Sequence, residues 1–222
     1  MAITRDPRPS LGSGSIKFID GFPFEGLGSA GFSDNDLLII GDDLDNNGDS
    51  TDNDLTGGSG NDEIRGAGGN DILREGLGNG ILNGGDGNDD LDGQEGTEKL
   101  FGGAGDDILR AGGSIPANTP VPPGQPAGDY DRLTGGEGFD TFGFYGVGTF
   151  EITDFTLGQD RLFFDSEILG IHQLSELTPY ITGLDDRGDS GFTVEFVGGA
   201  ASIELVNVNI DSITAGMIVF NL

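Results

Sequence analysis

Cysteine and tryptophan are absent from the 222-residue chain, histidine occurs once, at His172, and 10 basic residues face 39 acidic ones. Without cysteine there is no disulfide framework, no thiolate metal site and no cysteine nucleophile. One histidine cannot build a histidine-rich zinc centre, although the counts leave serine–lysine or carboxylate chemistry open. A formal net charge of -29 repels phosphate, so no nucleic-acid partner is expected. No stretch approaches the roughly 20 apolar residues of a membrane span. The N-terminus, Met1-Ala2-Ile3-Thr4-Arg5-Asp6-Pro7, lacks the apolar run of about 7–15 residues found in a cleaved secretion signal. If the protein leaves the cell, another signal is expected to take it out.

What the chain has in excess is glycine, 43 residues against a usual share of roughly 7%. Glycine combined with acid suggests disorder. Against that, 15 phenylalanines and a regular supply of leucine and isoleucine give apolar mass, and that mass is periodic. Cut every nine residues from Gly57, the chain reads GGSGNDEIR, GAGGNDILR, EGLGNGILN, GGDGNDDLD, GQEGTEKLF and GGAGDDILR, up to Arg110. GGEGFDTFG follows an interruption at Gly135–Gly143, and Gly48–Thr56 is a weaker copy one step upstream. The pattern is G-G-x-G-x-D-x-U-x, with U apolar. Units starting at 57, 84, 102 and 135 keep every signature position. The eighth position never fails: Leu55, Ile64, Leu73, Leu82, Leu91, Leu100, Leu109, Leu133 and Phe142.

This nonapeptide resembles the RTX, or hemolysin-type, calcium-binding repeat family. The resemblance implies an all-β fold, a calcium-stapled right-handed parallel β-roll with two nonapeptides per turn. Calcium is a hard cation that takes six to eight oxygens, glycine lets the backbone turn tightly with carbonyls inward, and stacking buries an apolar face that one unit cannot bury alone. In the family, calcium lies between unit i and unit i+2 on one edge. Carried onto this sequence, several Ca2+ ions are expected. Their carboxylates would be Asp62, Asp71, Asp89, Asp107, Asp131 and Asp140, with Asn53, and backbone oxygens would come from Gly66, Gly68, Gly84, Gly85, Gly87, Gly102, Gly103 and Gly105. Residues seven to nine of each unit are expected to be a very short strand.

That geometry sorts the units onto two edges. One carries sixth residues Asn53, Asp71, Asp89, Asp107 and Asp140; the other carries Asp62, Gly80, Glu98 and Asp131. The second edge loses two of its four aspartates, so an asymmetric roll is expected, with weaker or altered occupancy there unless Glu98 and nearby Asp86 or Glu95 substitute. The interruption, Gly113–Ala127, holds five of the nine prolines and reads as an exposed loop, open to a partner or simply tolerated.

Residues 1–30 form an N-terminal cap or contact segment, with Ser15–Ile19 a candidate strand. The roll spans 31–143. Gly31–Ile39 reads as a worn first repeat with Asp36 and Leu38 in place, and the Asp/Asn/Gly-rich tract 41–49 is either a further calcium site or a solvated loop. Residues 144–222 are a C-terminal antiparallel β cap, with alternating strands at 149–155, 192–197 and 201–206 and a short helix over Ser166–Leu177. Ile152, Asp154, Phe155, Gly158 and Asp160 match the I-x-D-F-x-x-G-x-D pattern that closes the roll in many family members. The family also implies an uncleaved C-terminal signal for a type I exporter, here in Ala215–Leu222, alternatively an ordinary last strand.

Residues 31–110 hold 20 acidic and 4 basic residues, so the metal-free repeats repel themselves and calcium binding and folding become one equilibrium. No H-E-x-x-H or G-x-S-x-G motif occurs. Repeats and cap leave no length for a catalytic domain, and His172 reads as a surface or core residue, so no enzyme is expected. The function implied is that of a secreted, extracellular or cell-surface calcium-binding protein with a structural or self-assembling role (surface layer, sheath, filament or other homo-oligomer). The alternative is a polysaccharide- or cell-surface-binding module or adhesin, weakened by the lack of tryptophan.

Overall fold

Each nonapeptide in this computed structural model, which describes residues 3–4, 17–20, 37–41, 52–112 and 130–222, contributes one strand and one turn. The first strands are β1 (Ile3–Thr4), β2 (Lys17–Asp20) and β3 (Leu37–Ile40). The repeats supply β4 (Asp54–Ser59), β5 (Glu63–Gly68), β6 (Ile72–Leu77), β7 (Ile81–Asp86), β8 (Asp90–Asp92), β9 (Lys99–Ala104), β10 (Ile108–Ala111), β11 (Tyr130–Glu137) and β12 (Thr141–Phe144). Most run longer than positions seven to nine and extend through the opening glycines of the next unit. Parallel neighbours on both sides satisfy that backbone, so the glycines remain in the ladder.

From β3 to β12 successive strands fall on opposite sheets. One sheet orders β1-β2-β3-β5-β7-β9-β11 and the other β12-β10-β8-β6-β4, and from β3 onward the pairs within these runs are parallel. Two nonapeptides therefore make one turn of a parallel β-roll. The eighth residues stack in two buried columns. Ile64, Leu82, Leu100 and Leu133 are in register on one sheet. Leu55, Leu73, Leu91, Leu109 and Phe142 are in register on the other. Each is 0% or 1% exposed, so every unit adds a fully buried side chain, worth about 1.5–3 kcal/mol.

The 33-residue step from Leu100 to Leu133 matches the step from Leu109 to Phe142. The interruption is thus absorbed between β10 and β11 without slipping either column. Its residues 113–127 lie outside the described residues, as does the 42–51 tract. The first repeat needs a correction. Ile39, not Leu38, pairs with Ile64 and is 1% exposed, so the worn unit is offset by one residue from the reading that put Leu38 in the core position.

Beyond Gly143 the nonapeptides stop but the ladders do not. The remaining strands are β13 (Gly148–Ile152), β14 (Arg161–Phe164), β15 (Ile181–Asp186), β16 (Gly191–Phe196), β17 (Ala201–Val206) and β18 (Ile218–Val219). β13 and β17 add parallel to β11, carrying the column on through Ile152 and Leu205. β14 and β18 do the same on the other sheet through Leu162 and Ile218. Only β15, β16 and β17 form the antiparallel meander expected of a cap. The closing segment thus prolongs both sheets of the roll. Its core turns aromatic, with Phe144 packed on Phe150 and Phe164 at 5.2 and 5.7 Å, and Phe220 stacked on Phe164. The single helix expected over Ser166–Leu177 is two one-turn helices, α1 (Ser166–Leu169) and α2 (Leu174–Leu177). Gly170 interrupts them with a φ of 66°, a left-handed conformation that ends a helix.

Glycine at the second position is required twice over. Gly85 has a φ of 118°, and a Cβ there would collide with the Ala67 carbonyl of the turn below. Two units break this rule: Ala67 and Gln94 hold φ values of 86° and 62° with a Cβ present. Left-handed backbone costs a non-glycine residue roughly 1–2 kcal/mol, and the added flexibility of an unfolded glycine returns part of it. Ala67→Gly and Gln94→Gly are each expected to stabilise the folded chain by about 1 kcal/mol. The check is the urea midpoint at saturating calcium, which should rise for each.

Candidate metal centre

The turns between the sheets hold the sixth-position residues, and one edge is a continuous column. The Asn53 amide donates to Asp71 Oδ1 at 2.7 Å, and the Asp71 amide donates to Asp89 Oδ1 at 2.7 Å. The Asp89 amide reaches Asp107 at 2.8 Å, that of Asp107 reaches Asp140 at 3.0 Å, and that of Asp140 reaches Asp160 at 3.0 Å. One carboxylate oxygen of each aspartate is thereby spent on the neighbouring turn. The other, Oδ2, is buried and has no hydrogen-bond partner in Asp71, Asp89 and Asp107.

Those oxygens face the first-position glycines. A Cβ on Gly66, Gly84 or Gly102 would collide with Oδ2 of Asp71, Asp89 or Asp107 in the same unit. It would also lie 2.6, 2.7 or 2.5 Å from the carbonyl oxygen of Gly84, Gly102 or Gly135, two units on. A carboxylate oxygen and a backbone oxygen of consecutive turns thus converge at each step. Gly85, Gly87, Gly103 and Gly105 continue the same turns with φ of 118°, 132°, 124° and 137°, while Gly68 ends β5. Among the described residues no three His or carboxylate side chains form a ready-made metal cage. A cation here would draw most of its oxygens from backbone carbonyls, with one or two carboxylates, a donor set that suits calcium.

Burial pushes these carboxyls up, and neighbouring aspartates add to the rise. Asp71, Asp89 and Asp140 reach about 6 and Asp107 about 7, against the backbone hydrogen bonds that pull them down. Asp160 is raised for the same first reason, its burial.

The other edge brings together Asp62, Glu98 and Asp131, each 0% or 1% exposed, and the Glu98 amide donates to Asp131 Oδ1 at 2.9 Å. It departs from the sequence reading at Gly80. That turn is not empty of a carboxyl group, because the side chain of Glu75 fills it with both oxygens buried. Burial first, and Asp62 second, push the Glu75 carboxyl to about 8.

Other residues of the edges escaped the sequence reading. Fifth-position side chains form an outer ladder: Asn70 accepts from the Asn88 amide, Asn79 from that of Thr97, and Asn88 from that of Asp106, at 2.8–2.9 Å. The signal was visible as asparagine or aspartate recurring at a position the pattern leaves free. Asp154 accepts from the amides of Gly135 and Gly136, both at 2.9 Å. With Asp160, which accepts from the Asp140 amide, it ends the column of Asp71, Asp89, Asp107 and Asp140. Both lie in the I-x-D-F-x-x-G-x-D segment, whose spacing had marked them without a role. His172 is exposed and its amide donates to Glu176, away from either edge.

The RTX calcium-binding nonapeptide repeat family, in four copies, matches residues 47–82 and 76–109. Among solved structures, the AlgE6R3 subunit of the Azotobacter vinelandii mannuronan C5-epimerase is 23% identical, with a TM-score of 0.35 over 76% of this chain and 78% of that one. The extracellular lipase LipA from Serratia marcescens is 18% identical, with a TM-score of 0.28 over 82% of this chain, which spans 42% of the lipase. No curated protein matches the sequence. The repeat pattern, the two-unit turn and the family match converge on one identification: the chain carries tandem RTX calcium-binding nonapeptide repeats, folded as a parallel β-roll.

Proposed function

We propose that this chain is an extracellular protein that folds on calcium and serves a structural, self-assembling role rather than a catalytic one. The observation that carries the calcium part is the row of buried, unpartnered Oδ2 atoms of Asp71, Asp89 and Asp107. A buried carboxylate without a counter-charge costs several kcal/mol, more than the roughly 1.5–3 kcal/mol that one buried leucine contributes. The ligands are the carboxylates of Asp62, Asp71, Asp89, Asp107, Asp131 and Asp140, with Asn53 at the first turn. Backbone oxygens of the glycines from Gly66 to Gly105 in the same turns complete the sites. Extracellular calcium modules work at roughly 10⁻⁴–10⁻³ M. A chain of this kind stays unfolded in a low-calcium cytosol, passes a type I exporter by its C-terminal residues, and closes outside.

The structural role draws its support from where the titratable groups lie. The carboxyls with raised pKa sit on the roll's edges, one per turn, and do not converge on a cleft. The apolar cleft of about 270 Å³ beside the closing segment is lined by Phe144, Phe150, Phe164, Ile171, Leu177 and Phe196, with Tyr180 the one lining side chain that bears a polar atom. Among the described strands β4 and β15 lie at sheet ends, and an unpaired strand edge is a template for another chain.

Two outcomes are expected. First, the purified chain should pass from expanded to folded as calcium rises from chelated to millimolar, with light scattering then growing reversibly. Asp89→Ala, in the middle of the column, should raise the half-folding calcium several-fold. Compaction to a stable monomer would overturn the self-assembling role and leave a surface-binding module. No response to calcium would overturn the whole reading. Second, the raised carboxyls bind protons more tightly when folded than when unfolded. The stability they contribute to the metal-free chain is therefore fully present below about pH 4 and lost as pH rises through about 6 to 7. In chelator, circular dichroism should show more β structure at about pH 4.5 than at about pH 7.5.

A further inference from the structure

Unit 75–83 departs from the repeat at two positions at once. Its first residue is Glu75 where the pattern has glycine, and its sixth is Gly80 where the pattern has aspartate. In the sequence these are two defects. In the roll they are one exchange. A Cβ built on Gly80 would collide with Cγ of Glu75 and lie 2.9 Å from both its Cδ and its Oε1, and those are its three nearest atoms. The Glu75 side chain thus occupies the room that a sixth-position aspartate takes in the neighbouring turns.

The surroundings agree. In the opposite column each sixth-position amide donates to the carboxylate of the next turn. Here the Asp62 amide faces the Glu75 carboxylate, although neither oxygen reaches hydrogen-bonding geometry with it. Glu75 is 0% exposed and both its oxygens lack a partner. A Cβ on Gly78 would lie 3.4 Å from Glu75 Oε1, and one on Gly96 would lie 2.6 Å from Glu98 Oε1. Those Cβ atoms would also collide with the carbonyl oxygens of Gly60 and Gly78 in the turns below. Carboxylates that start from positions one and six therefore arrive over the fourth-position glycine of successive turns, beside a stacked row of carbonyls.

We propose that Glu75 is a transposed ligand for a hard divalent cation, acting with Glu98 and the backbone carbonyls of Gly60 and Gly78 on the edge that the sequence marks as depleted. This rests on the calcium reading of the repeats. It makes that edge a continuous acidic column, Asp62, Glu75, Glu98 and Asp131, and it gives the expected asymmetry a definite form, a site of altered chemistry at Glu75 and Gly80. The bland alternative is a protonated glutamate that only fills the space left by Gly80.

Bound calcium should be counted by native mass spectrometry and equilibrium dialysis on the full chain and on three variants. Glu75→Gln keeps the shape and removes the charge. The double variant Glu75→Gly/Gly80→Asp restores the ordinary order, with the new aspartate entering the room the glutamate leaves. Asp89→Asn checks that loss of one ligand is resolved. The expected result is at least one ion fewer in Glu75→Gln and the wild-type number in the double variant. A wild-type count in Glu75→Gln overturns the proposal and leaves Glu75 a filler. If Glu75→Gln does not fold at any calcium level, the double variant decides: the wild-type count supports the exchange, and a lower count overturns it. A wild-type chain that binds no calcium would instead overturn the calcium reading beneath it.

Discussion

Asp71, Asp89 and Asp107 lie in consecutive turns, each tied by one oxygen to the backbone of its neighbour and each burying a second oxygen that nothing in the chain satisfies. The rest of the molecule depends on that constraint. The stacked leucine columns favour closure of the roll, while the stacked carboxylates oppose it through desolvation and mutual repulsion. Protons or a cation can settle the contest, and near neutral pH a cation is the stronger agent because it also gathers the carbonyls. On the proposed calcium reading, folding and ion binding are then one event.

Glycine sets the geometry in which that event can happen. The turns are tight because their second and fourth residues hold positive φ, and the carbonyl of one turn lies where a Cβ on the next would sit. The same close approach that excludes side chains gathers oxygens. Ala67 and Gln94 show that the rule bends at a cost, and both lie in units that are otherwise intact at the eighth position. The closing segment solves a different problem. An open roll would expose a strand edge and an apolar end. β13, β14, β17 and β18 continue both ladders, and phenylalanines fill the end where leucines no longer stack.

The buried sixth-position carboxylates of the repeats recur at one per turn, and each accepts from the backbone of the turn before it. With 39 acidic residues against 10 basic ones, the chain carries a net charge that opposes this stacking.

Much of this was legible in the residues. The nine-residue period named the eighth-position core, from Leu55 to Phe142, and the sixth-position column, from Asn53 to Asp140. Counting by two units assigned each to its edge, and the interruption preserved that register. These features are legible because a repeating backbone turns sequence spacing directly into stacking. What failed did so where spacing stops being enough. The pairing of Ile39 rather than Leu38 with Ile64 depends on backbone register in a unit with no glycine signature. The split between α1 and α2 depends on the left-handed Gly170. The prolongation of the sheets by β13 and β17 depends on pairings between strands far apart in the chain. Position by position, Glu75 and Gly80 read as two losses. Only the folded turn brings the longer side chain of one into the space vacated by the other. The sequence determines the period and the register of the roll, because both are properties of the chain's own spacing. The tertiary structure decides which carboxylate fills which turn, because that depends on side-chain reach across the stacked backbone.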